Sequence, residues 1–276
     1  FNPQRGIAVS PIFGLPTAPE STEVPQALAY GDFRTYLEEF VVTMDAAHDL
    51  LLAASEDRDF AVELDIMAIR IDIDGDGVAG ATESIGAFLA QAGGMVPDLE
   101  LEDELDDMPL SFAFDAADAI WLAGYSQILA FNADFALAHE FGDFFTAIMH
   151  RLFPGAGLPM EDYAPSDSLF MDRDSDALLA DAIAAVHTIN WPVIDRERLV
   201  RTRNRALAVL NLSRRNWEAI LAETDDNREF IPSPYQTPVH EDMKITKQMV
   251  SAWHDALDST ERVIRGELLL PHWRFS

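Results

Sequence analysis

Apolar residues recur at spacings of three and four along much of this chain, the signature of helices that turn one face to a core. From Phe33 to Ala54, the positions Tyr36, Phe40, Val41, Met44, Ala47, Leu51 and Leu52 form one stripe, and Asp32 stands where an N-cap belongs. Phe60, Leu64, Met67 and Ile71 predict a second helix over about 57–70. Ile85, Phe88 and Leu89 predict another over 82–91, ended by Gly93 and Gly94. Asp115 opens the most hydrophobic stretch, where 116–152 forms one long helix or two abutting ones rich in Phe. Further helices are expected over about 175–188, 195–223 and 244–265.

Proline and glycine punctuate the pattern. Pro3, Pro11, Pro16, Pro19 and Pro25 make residues 1–31 an extended arm. Pro154 to Pro159 breaks the chain again, and Pro232, Pro234 and Pro238 mark a long irregular loop before the last helix. Sustained period-two alternation is missing, apart from short ambiguous pieces such as 69–73. The expected fold is all-α, a helical bundle or orthogonal helix array, with 32–276 as a single helical domain. The stretch 116–152 is apolar enough to need cover on both flanks, which favours one domain over two.

Composition changes this picture in one respect. The formal charge is −29, and it is uneven: residues 1–195 carry −30 and residues 196–276 carry +1. Such a field repels nucleic acid and anionic lipid, and favours solubility and cation binding. The arginines from Arg196 to Arg215 are expected to pair with the acidic N-terminal two-thirds, within the chain or across an oligomer interface. No apolar run reaches the ~20 residues needed to span a membrane. Cysteine is missing, so there is neither a disulfide framework nor thiolate chemistry. The chain begins at Phe1, which suggests a mature form after signal-peptide removal and points to a periplasmic or secreted protein.

One segment has residue types and spacing that specify a chemistry. In Asp72-Ile73-Asp74-Gly75-Asp76-Gly77-Val78-Ala79-Gly80-Ala81-Thr82-Glu83, carboxylates stand at positions 1, 3 and 5, glycine at 6 and glutamate at 12. This loop resembles that of the EF-hand family of calcium-binding proteins. The resemblance implies an EF-hand-like helix–loop–helix over about 57–93. It implies Ca2+ held by Asp72, Asp74, Asp76, the carbonyl of Val78 and Glu83, with a water at Gly80. Position 8, an aliphatic residue that pairs two loops in the family, is Ala79 here, and no second complete loop occurs. Asp172-x-Asp174-x-Asp176 starts similarly but continues with Ala177 and reaches Ile183 at position 12, and is expected to be a helix N-terminal acidic cluster. A lone loop suits a structural calcium that clamps a scaffold better than a cooperative sensor.

Outside the loop, His139, Glu140 and Asp143, with His150 further on, are the alternative metal or acid–base group. His139 and Asp143 are spaced to share a helix face, but two His flanking a Glu at zinc-protease spacing do not occur. Nucleophile-elbow, phosphate-loop and dinucleotide motifs are missing too. The expectation is a calcium-binding exported helical protein with an interaction or accessory-subunit role, meeting a protein partner or forming an oligomer. The alternative is a calcium-stabilised hydrolase with a pocket around His139, Glu140 and Asp143.

Overall fold

The computed structural model describes residues 27–57, 60–65, 68–70, 78–80, 84–85, 111–153, 156–160, 173–226, 229, 231–238 and 244–270. Among these the protein is mostly helical. Helix α1 spans Tyr30–Ala54, α2 Ala116–Leu137, α3 Gly142–Ile148, α4 Arg173–His187, α5 Arg196–Ala222 and α6 Lys247–Arg265. Two short strands, β1 (Ala61–Asp65) and β2 (Ser111–Asp115), pair antiparallel with Ala61 opposite Asp115 and Asp65 opposite Ser111. No helix among the described residues is long and apolar enough to cross a membrane.

β1 corrects the expectation of a helix over 57–70. Phe60, Leu64 and Met67 have helical spacing, but Val62 and Leu64 have strand spacing too, and pairing with β2 decides between them. Phe60 meets Phe114 edge-on, ring centroids 6.0 Å apart. The expected helix over 82–91, apart from Ser84 and Ile85, lies outside the described residues. So do the acidic run 98–107, most of the N-terminal arm and the tail from Pro271.

The chain divides into two compact units. One comprises residues 1–36, 66–109 and 139–194, the other 37–65, 110–138 and 195–276. In the first, rings do the packing. Tyr30 stands edge-on to Phe141 at 5.0 Å, Phe33 lies 5.5 Å from Phe145 and 5.8 Å from Phe153, and Trp191 meets Phe144 at 5.0 Å. The Tyr30 hydroxyl accepts the Phe141 N–H (3.0 Å), which uses its polar tip within an apolar cluster.

In the second unit α2 packs along α5. Ala117, Ala119, Ala123 and Ala130 on α2 are buried, as are Leu210, Leu212 and Ile220 on α5. Small residues on one helix let the larger ones of its neighbour fill the space between. Asn216 of α5 donates to the Ala117 carbonyl at 2.8 Å, so its buried amide is satisfied. Val41 of α1 joins Ala133 and Leu137 in a cluster with Leu37 and Phe40 packed on it. Arg198 and Arg205 of α5 pair with acids of the N-terminal part as expected, whereas Arg214 pairs within the C-terminal part. Arg198 binds Glu38 and Asp134, Arg205 binds Asp45 and Asp134, and Arg214 binds Asp258 and Glu261.

Candidate functional site

Of the twelve-residue loop, Val78, Ala79 and Gly80 are described; Asp72, Asp74, Asp76 and Glu83 lie outside the described residues. The three central residues carry no regular secondary structure, and the Val78 side chain is exposed. Just outside the loop, Arg70 and Ser84 form an antiparallel bridge, and the Ile85 N–H donates to the Ile69 carbonyl at 2.9 Å. Backbone pairing therefore ties the chain together on both sides of the loop. The described residues before it are the strand β1 and residues 68–70, and β1 stands where the family pattern implies a helix.

The donor set written in the sequence is oxygen only: four carboxylates and one backbone carbonyl. That is the chemistry a hard divalent cation takes, and calcium tolerates the irregular geometry such a loop provides. On donor chemistry the residues fit the ion.

A second acidic group assembles within the α2–α5 unit. Carboxylate oxygens of Asp115, Glu223 and Glu229 all lie within 4.8 Å of one another. Asp115 is the N-cap of α2, accepting the N–H groups of Ala117 (2.8 Å) and Asp118 (3.2 Å), while Asp118 accepts the Asp115 N–H in return. Glu223 caps the C-terminus of α5, and Glu229 sits in a parallel bridge with Pro238. Glu229 is only 4% exposed.

Like charges this close cannot all be ionised cheaply: at ~5 Å and an effective dielectric constant of ~20, each pair costs about 3 kcal/mol. Burial first, then Asp115, Glu229 and Asp225, push the Glu223 carboxyl up to about 8, against a hydrogen bond from Gln236. Burial likewise lifts Asp118 to about 6, opposed by its bond to the Asp115 backbone. Glu223 thus keeps a proton at neutral pH, and that proton relieves the repulsion.

No protein-family model, no curated protein and no solved structure matches this chain. Chemistry at these sites is therefore argued from the residues alone.

The His139 group is not assembled as its spacing suggests. α2 ends at Leu137 and α3 begins at Gly142, so His139 and Glu140 lie in the break and not on one helical face with Asp143. His139 bridges Val193, its carbonyl accepts Arg34 Nη1 at 2.9 Å, and the Glu140 N–H donates to Pro192 at 3.0 Å. The Glu140 carboxylate accepts the Gly142 N–H (2.9 Å), and Asp143 is exposed in the first turn of α3. His150 instead meets Asp181 of α4 at 3.2 Å, where Arg151 also binds the same carboxylate. The contacts of His139 and Glu140 fasten backbone, whereas His150 and Arg151 join side chains to Asp181.

Sequence reasoning identified Asp115 as a helix start, but not that it meets Glu223 and Glu229. These acids are distant along the chain and follow no ligand spacing, so only the packing of α2 on α5 brings them together.

Proposed function

We propose that this protein binds calcium through the loop Asp72–Glu83, and that the ion ties down a helical scaffold used as an interaction or accessory module outside the cytosol. The observation that supports this is the pairing of Arg70 with Ser84 on either side of the loop. Asp72 stands two residues inside that bridge along the chain and Glu83 one residue inside it. A loop tied at its neck restricts the first and last donors before the ion arrives, which lowers the entropy lost on binding.

A structural role fits better than a sensor. Among the described residues the chain enters the loop through strand β1, paired with β2, where a calcium sensor has the first helix of the pair that opens a groove. An extracellular setting suits a single hand, because calcium is abundant there and weak sites fill.

Titration calorimetry of the metal-stripped chain decides the matter. Calcium should bind at a single site in preference to magnesium, which demands stricter octahedral geometry. Absence of a binding heat up to millimolar calcium, together with an unchanged melting temperature, overturns the proposal.

A further inference from the structure

We propose that Glu223 is a protonation-controlled latch: neutral, it holds the segment 229–238 beside the end of α5 and the start of α2, and ionised it loosens that segment. The connections run through Gln236. Its Nε2 donates to Glu223 Oε2 (2.9 Å) and to the Asp225 carbonyl (3.3 Å), while its Oε1 accepts the Ser233 N–H at 2.7 Å. Glu229 N–H donates to the Thr237 carbonyl (3.2 Å), and the Thr237 hydroxyl donates to Asp226 at 2.9 Å. Ser233 and Pro232 between them are buried. Gln236 thus joins the Glu223 carboxyl to the segment; this bond by itself favours the ionised carboxyl, and the latch works against it through burial and the repulsion from Asp115 and Glu229.

Among the described residues, the charged groups that act most strongly on Glu223 are acids from three elements. Asp115 stands at the junction of β2 and α2 with Asp118 behind it, Glu229 belongs to the segment itself, and Asp225 follows α5. Ionising Glu223 adds a charge to a place that already repels it, and opening the segment separates Glu229 from Glu223 and Asp115.

The sign follows from burial and repulsion, which raise Glu223 from 4.5 to about 8. Closing the segment therefore takes up a proton between those values. The grip is full below about 4.5, weakens as pH rises, and is lost once pH passes about 8. A whole proton corresponds to at most about tenfold per pH unit in the opening equilibrium, reduced by solvent screening at this half-exposed group.

Hydrogen exchange of the full chain in chelator, read by mass spectrometry at pH 5.5, 7 and 8.5 and corrected for intrinsic rates, tests the latch. Protection of peptides covering 229–238 should fall several-fold across that range in the unmodified protein, while Glu223→Gln should stay flat. Asp115→Asn keeps the N-cap and, by lowering the folded-state value of Glu223, should make the loss of protection smaller and end it at lower pH. Protection that does not change with pH, or a Glu223→Gln protein that follows the unmodified one, overturns the proposal. Should Glu223→Gln fail to fold, Asp115→Asn alone decides, and an unshifted profile overturns it.

Discussion

Arg205 of α5 holds Asp134 of α2 by two hydrogen bonds to one carboxylate oxygen, from Nη2 at 3.0 Å and Nε at 3.2 Å. Arg198 takes the other oxygen at 3.0 Å. Asp134 is 3% exposed, so two guanidinium groups satisfy a carboxylate that water barely reaches. Removing one partner of a buried ionic group costs about 3–5 kcal/mol, because the remaining charges stay desolvated. Asp134→Ala should therefore lower the urea midpoint by that equivalent. Exposed Asp258→Ala, which removes only a surface partner of Arg214, should cost under about 1 kcal/mol.

The same arginine sets an acid limit. Its hydrogen bond holds Asp45 below the ordinary carboxylate range, with Gln127 and the Arg205 charge adding to that and burial opposing. A lowered folded-state pKa contributes stability that is present above the unfolded value and lost as pH falls through the folded one. Asp45→Asn keeps an acceptor for Arg205 but removes the titration. It should be less stable than the unmodified protein at pH 7, and the two stability curves should converge below about pH 4. Thermal melts at stepped pH give the comparison.

Helix starts with local causes are legible from the sequence, although α1 begins at Tyr30 and takes Asp32, expected as its cap, into its first turn. Asp115 and Asp195 are read as starts, and both cap through their side chains. The break at 138–141 contains neither proline nor glycine, and it is made by distant partners: Arg34 on the His139 carbonyl and Pro192 on the Glu140 N–H. β1 is missed for a related reason. Five residues with both helical and strand spacing become a strand because β2 lies beside them, and that neighbour is far away in sequence. The calcium-type loop is read from residue types alone, since its four acids lie outside the described residues, and the fold adds the pairing of Arg70 with Ser84 beside it.

Two glycines should respond in opposite directions. Gly124 lies inside α2, and a Cβ there would sit 3.7 Å from the Leu212 Cβ, an ordinary contact. Gly124→Ala should stabilise by about 0.5–1 kcal/mol, since alanine loses less entropy in a helix. Gly266 ends α6 with φ of 76° and donates its N–H to Arg262 and Val263. Gly266→Ala forces a Cβ into that left-handed turn and should destabilise by about 1 kcal/mol. Chemical denaturation of both single variants measures each sign.

Calcium should make the stability of this protein concentration-dependent, and the dependence should vanish with single donor changes. An ion that binds only the folded chain adds RT ln(1 + [Ca]/Kd), about 2.7 kcal/mol at a hundredfold excess over Kd. For a chain of this length that corresponds to a rise of roughly 5–10 °C in melting temperature. Asp72→Ala removes the first donor, and Glu83→Gln removes the charge and the second oxygen of the last one, so each should abolish the rise. Ala79→Val lies inside the loop without contributing a side-chain donor and should preserve it, which separates lost coordination from a merely disturbed loop. A calcium-dependent rise that persists in both donor variants would assign the ion to other residues.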